Sequence, residues 1–168
     1  GAVHLDHYQN TIIWEGIEDG EADGIVIDDL FLYNITSGEK TRLTEGESRR
    51  QPNIWGDKFV FWGNADASFE VFLWDLNTME YRNITRHPSD QWEPDIWQNR
   101  VVWTDHRNAP GGYFGTNNSD IYWCDLPDCV AQPATINWAA QESPTIAGDW
   151  IAWIDYRSDV NPLGPDSS

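Results

Sequence analysis

The stretch DLFLYNITSGEKTRLT, residues 29–44, recurs 41 residues later as EVFLWDLNTMEYRNIT (70–85) and a further 50 later as DIYWCDLPDCVAQPAT (120–135), each time without a gap. Every copy opens with an acid, Asp29, Glu70 or Asp120, and then alternates large residues, such as Leu30 and Leu32 or Phe72 and Trp74. Alternation with period two in aromatic and branched residues specifies a strand. A turn-forming cluster follows, Thr36-Ser37-Gly38, Asn77-Thr78 or Pro127-Asp128, and then a short segment ending in Thr44, Thr85 or Thr135. Each copy therefore reads as a β-hairpin.

A second element alternates with the first: PNIWGDKFVFW (52–62), PDIWQNRVVW (94–103) and PTIAGDWIAW (144–153), with a weaker copy LDHYQNTIIW at 5–14. Gly56-Asp57, Gln98-Asn99 and Gly148-Asp149 fall at one offset, where such pairs make a tight two-residue hairpin turn. Two hairpins per unit give four antiparallel strands. A four-strand unit repeated every 41 to 50 residues is the pattern of a β-propeller blade. The expected architecture is all-β, with blades at 5–44, 51–85 and 94–136, the first half of a fourth at 144–155, and a loop or tail at 156–168. That makes about three and a half blades and an incomplete ring.

These residues resemble the TolB-like propeller repeats of periplasmic and surface-exposed proteins. The likeness rests on the Pro-Asp-Ile-Trp start, the Val-Val-Trp-Thr-Asp-x-Arg strand end and the Asp-Ile-Tyr-x-x-Asp-Leu strand, here residues 94–107 and 120–126, and covers about 5–157. Leu5 departs from the pattern at the Pro position, and Gly63 and Ala65 stand where later copies have Asp105, Arg107 and Asp155, Arg157. The resemblance implies an extracellular, cell-surface or periplasmic location. It also implies either a non-catalytic surface for protein or glycan contacts or, as in some similar propellers, a carbohydrate-active lyase or hydrolase working at the central axis.

Propellers close at roughly four to eight blades, so three and a half are expected to form one piece of a longer propeller, cut or truncated in the loop after Asp155. Its remaining blades would come from another segment or chain. An open stack capped by a homo-oligomer partner is the other arrangement, and a structural subunit of a surface assembly or filament, completed by strand addition, is a further role.

Charge narrows the partners. The chain has 168 residues and a net charge of -18, with 28 Asp plus Glu against 10 Lys plus Arg. Such a polyanion repels phosphate backbones and anionic lipid, which argues against nucleic acid. No apolar run approaches the ~20 residues of a membrane span. The loop EGIEDGEADGIVIDD, residues 15–29, is the most acidic stretch. Asp19, Glu21 and Asp23 before Gly24, with Asp28 beyond, approach the spacing by which alternate side-chain oxygens wrap calcium.

Cys124 and Cys129 flank the Leu126-Pro127-Asp128 turn at a separation that suits a disulfide across the hairpin, which points to an oxidising compartment. Asp105 with Arg107, and Asp155 with Arg157, sit two residues apart on one strand face, where ion pairs pin the loop. Of the eleven Trp, Trp14, Trp62, Trp103 and Trp153 recur at or beside one strand end and are expected in the core. Trp55 and Trp97 at turns, with Trp92 and Trp138 in connections, are the candidates for stacking on a sugar or a partner. No catalytic constellation is legible.

Overall fold

A computed structural model describes residues 4–16, 29–45, 49–65, 68–109 and 118–157. All of its regular structure is β. Strands β1 (Leu5–Tyr8), β2 (Thr11–Gly16), β3 (Asp29–Asn34) and β4 (Glu39–Arg42) form sheet 1 in that order. Sheet 2 repeats the arrangement with β5 (Arg49–Trp55), β6 (Lys58–Ala65), β7 (Ser68–Asp75) and β8 (Glu80–Asn83). Sheet 3 does so with β9 (Gln91–Trp97), β10 (Arg100–Asp105), β11 (Asp120–Asp125) and β12 (Gln132–Pro133), whereas sheet 4 has only β13 (Gln141–Ala147) and β14 (Trp150–Asp155). Every ladder is antiparallel between strands consecutive in sequence. These are propeller blades, and the described residues do not close a ring.

The inner strands β1, β5, β9 and β13 lie side by side in that order and define an axis. Each turns into the next strand through two residues, since Tyr8 pairs with Thr11, Trp55 with Lys58, Trp97 with Arg100 and Ala147 with Trp150. The first turn residue has positive φ each time: Gln9, Gly56, Gln98 and Gly148. Glycine occupies two of the four because it adopts this conformation without steric cost.

Three inner strands begin two or three residues before the boundary expected from the Pro pattern. A bulge carries them past it. Register shifts fall beside Pro52, Pro94 and Pro144, and the preceding residues Gln51, Glu93 and Ser143 have φ of 49, 52 and 53°. A bulge absorbs one extra residue and bends the strand, which accommodates a proline that cannot donate to the ladder.

Strand alternation loads both faces of the middle blades. From sheet 2, Phe59, Phe61, Phe72 and Trp74 pack with Ile13 and Leu30 of sheet 1. On its other face Val60, Val71 and Leu73 meet Val101, Trp103, Tyr122 and Cys124 of sheet 3. At about 1.5–3 kcal/mol for each large side chain fully buried, these two seams dominate the cohesion. The acid that opens each third strand is buried too. Asp29 accepts the Thr44 hydroxyl at 3.1 Å, Glu70 accepts the Thr85 hydroxyl, and Asp120 takes the Asn137 N–H at 2.7 Å instead. The terminal Thr of the repeat thus returns to the start of its own hairpin in sheets 1 and 2.

Of the four recurrent Trp expected in the core, only Trp103 is fully buried. Trp62 falls ten residues after its Pro where Trp103 falls nine, and a shift of one moves a side chain to the opposite sheet face. Its indole accordingly turns away from the Phe59 and Phe61 seam and donates to Gln51 Oε1. Trp14 is half-buried, stacked on Phe31 at 5.6 Å on the side of sheet 1 away from sheet 2. Trp153 is 36% exposed because sheet 4 has no third strand among the described residues to do what Tyr122 does beside Trp103.

Candidate functional site

Three features could serve function: the groove along the inner strands, a row of aromatic rings at its turn end, and the outer face of sheet 4. The groove has a cavity of about 220 Å³ whose lining includes His4, Asn53, Glu93, Asp95 and Thr145. Its polar groups are engaged in joining blades. Asp6 Oδ2 accepts the N–H of Ile54 at 2.8 Å, and Asp95 at the equivalent place accepts the N–H of Ile146 at 2.9 Å and the Thr145 hydroxyl at 2.8 Å. Asn53 instead donates to the carbonyl of Pro94 at 2.7 Å.

A second set serves the bulges, whose extra residue is left outside the ladder. Glu15 Oε2 accepts the N–H of Gln51 at 2.6 Å, and Glu93 Oε2 accepts that of Ser143 at 2.9 Å together with the Thr104 hydroxyl at 3.0 Å. Acceptance by a carboxylate makes these bonds stronger than neutral ones. Sequence reading assigned no role to Asp6, Asn53 or Asp95. Their signal was the polar residue directly after each Leu or Pro of the second repeat, visible once the four copies are aligned. Nearby, burial and the charge of Glu93 push the Glu142 carboxyl above its ordinary value.

At the turn end the rings of Tyr8, Trp55 and Trp97 follow one another across sheets 1, 2 and 3, with centroids 5.0 and 3.8 Å apart. Trp55 and Trp97 therefore belong to one ladder and are half-buried. Trp92 lies elsewhere, against Trp62 at 6.2 Å, Phe69 at 6.1 Å and His106 at 4.5 Å, as an inter-blade packing residue. Trp138 is 63% exposed.

The remaining predicted residues divide clearly. Cys124 and Cys129 form a disulfide with Cα atoms 4.8 Å apart. Arg107 donates through Nε and Nη2 to the two oxygens of fully buried Asp105, at 2.9 and 2.7 Å, while Trp103 Nε1 donates to Asp105 at 2.9 Å. Hydrogen bonding to Asp105 raises the Arg107 guanidinium above its ordinary value. Arg157 reaches Asp155 in the same way, at 2.9 Å from Nε and 2.7 Å from Nη2, but here the arginine is exposed and the aspartate partly so. Asp19, Glu21, Asp23 and Asp28 lie outside the described residues. Among the described residues no group of three or more His, Cys, Asp or Glu is placed to hold a metal ion, and no helix is long and apolar enough to cross a membrane.

Trp150, on the outer face of β14, is the most exposed large apolar side chain among the described residues. Trp150 is 82% and Ile154 50% exposed, whereas Val60 and Val102, on the equivalent faces of sheets 2 and 3, are fully buried.

The fold and this axis of inner strands define a β-propeller. TolB from Acinetobacter baumannii superposes with a TM-score of 0.68 at 16% identity, over 90% of this chain and 37% of that one. The β-propeller domain of the Trilobed protease from Pyrococcus furiosus, described as having an open velcro topology, gives 0.68 at 11% over 91% and 47%. Pyrococcus horikoshii acylaminoacyl peptidase gives 0.67 at 13% over 91% and 23%. The chain thus spans less than half the length of each. No protein-family model and no curated protein sequence matches it. The likeness to TolB and other propellers holds at the level of fold.

Proposed function

We propose that the chain is a non-catalytic binding or scaffold module acting outside the cytoplasm, whose principal contact surface is the outer face of sheet 4. One observation carries the reading: Trp150 and Ile154 are exposed on a strand whose counterparts in sheets 2 and 3 are covered by a neighbouring sheet. Exposed apolar faces of this kind mark interaction sites, and the free edge of β14 among the described residues offers backbone groups for strand addition. The occupant is a further blade, supplied by another segment or by another chain. The groove supports a structural role, since its carboxylates are spent on joining blades. The disulfide is consistent with an oxidising compartment.

Light scattering on the 168-residue chain tests this. Association, abolished by a Trp150→Lys, Ile154→Lys double variant with unchanged β-sheet circular dichroism, is the expected result. A stable, monodisperse species at 19.3 kDa that the substitutions leave unaltered contradicts it. Calcium at Asp19, Glu21, Asp23 and Asp28 belongs to the same proposal. Titration of EDTA-stripped protein with millimolar calcium is expected to give heat and a rise in melting temperature, and neither would remove it.

A further inference from the structure

The aromatic ladder stops one sheet early. Tyr8, Trp55 and Trp97 occupy the same place at the ends of β1, β5 and β9, and the fourth rung is Ala147 at the end of β13. Trp55 fills the space beside Trp97 on the sheet 2 side, at 3.8 Å between centroids. On the sheet 4 side no described residue supplies an equivalent ring. An open cavity of about 440 Å³ lies there, with Trp97, Asn99, Arg100 and Asp149 in its lining. A Cβ placed on Gly148, which also borders it, would meet no atom within 4 Å.

The chemistry around this gap is specific. Trp97 supplies a large planar apolar surface, half-buried and held by its neighbour. Gln98 and Asn99 contribute amides and Asp149 a carboxylate, all at turn positions. Arg100 is fixed by two parallel bonds to Asp125, at 2.8 and 3.0 Å, and its guanidinium lies 4.3 Å from the Trp123 ring centroid. Hydrogen bonding to Asp125 raises the Arg100 guanidinium and lowers the Asp125 carboxyl, so this pair stays charged and oriented. One aromatic plane ringed by planar donors and acceptors suits a ligand with an apolar face and a polar edge. A pyranose ring has both. With Asp125 and Asp149 against Arg100 among the described lining residues, an anionic sugar meets net repulsion.

We propose that this cavity between sheets 3 and 4 binds a neutral pyranose, stacked on the Trp97 indole where the fourth rung is missing. The proposal rests on the binding-module reading above and names a ligand class for it, at a site separate from the β14 face.

Saturation-transfer NMR on the 168-residue chain, with cellobiose and maltose as neutral probes and sodium glucuronate as the anionic one, provides the test. Expected are transfer to the ring C–H protons of at least one neutral disaccharide and a markedly weaker signal from glucuronate. Ala147→Trp supplies the missing rung without touching Trp97, and is expected to weaken disaccharide binding at least about tenfold while leaving the melting temperature unchanged or higher. Trp97→Ala is expected to do the same to binding. Asp149→Ala, at an exposed turn residue, provides a third reading should either variant fail to fold, with a loss of about threefold or more. No transfer from either neutral sugar, equal transfer from glucuronate, or binding that survives in the folded variants overturns the proposal. Association through β14 is read separately by light scattering, so failure here leaves that result standing and the reverse also holds.

Discussion

Sheets 3 and 4 carry the same repeat and meet different fates. Trp103 and Trp153 follow their prolines by nine residues, and both precede an Asp-x-Arg. Yet Trp103 is fully buried and Trp153 is 36% exposed; Asp105 is fully buried and Asp155 is partly exposed. The residues are equivalent and their neighbours are not. In sheet 3, β10 has β11 beside it and sheet 4 packs against the outer face, whereas β14 is an edge among the described residues. Burial in a propeller is therefore a property of position in the ring, and a repeat motif has no fixed energetic value.

The largest expected effect of that difference is at the tryptophans. Trp103→Ala is expected to destabilise the chain by about 3–5 kcal/mol, as for other large-to-small core changes, and Trp153→Ala by less than about 1 kcal/mol. Urea midpoints at equal protein concentration check both, and similar losses would break the comparison. Next come the acids. Asp105→Asn removes the buried carboxylate that holds the partly buried Arg107, which is expected to cost about 3 kcal/mol, while Asp155→Asn is expected to leave the midpoint unchanged.

Removing the disulfide with a Cys124→Ala, Cys129→Ala pair is expected to cost about 2 kcal/mol, the low end for a bridge closing so short a loop. The hairpins of sheets 1 and 2, with Tyr33 and Gly38 or Trp74 and Met79 at these places, fold without one, so sheet 3 should retain its β signal when reduced.

The smallest effect is electrostatic. His106 packs edge-on to Trp92, and burial holds its imidazole below the ordinary value against the opposing pull of Asp90, Asp105 and Glu93. Above about pH 6.5 both folded and unfolded states hold it neutral. As pH falls below that value the unfolded chain takes up the proton first, so stability is lost. His106→Phe, which keeps the ring contact, should flatten the dependence of the urea midpoint between pH 7 and 5.5; an unchanged slope would assign it to other groups.

Much of this architecture was legible because a repeat states the same thing several times. Sixteen ungapped residues in three copies exposed the hairpins, and alternation within them set which residues share a face. What stayed hidden depends on the relation between blades. Asp6, Asn53 and Asp95 read as strand polar residues until the adjacent inner strand shows what they hold. The bulges at Gln51, Glu93 and Ser143 leave little local trace beyond the following proline. Trp62 misled because one residue of offset reverses its face, and Trp153 because no local pattern records whether the next strand of its own sheet lies beside it. The aromatic ladder was half visible: Trp55 and Trp97 stood out as turn residues, but Tyr8 and the gap at Ala147 acquire meaning only when the four sheets are set side by side.

Hydrogen exchange of the amides of β10 and β14 tests the central claim most directly, because it compares one strand paired on both edges with its repeat equivalent paired on one. In dilute monomeric chain, the amides of β10 should exchange near the rate of global unfolding and those of β14 orders of magnitude faster, with β14 slowing once the chain associates. Equal, high protection of both strands in the monomer would contradict the account, since β14 would then already have its neighbour.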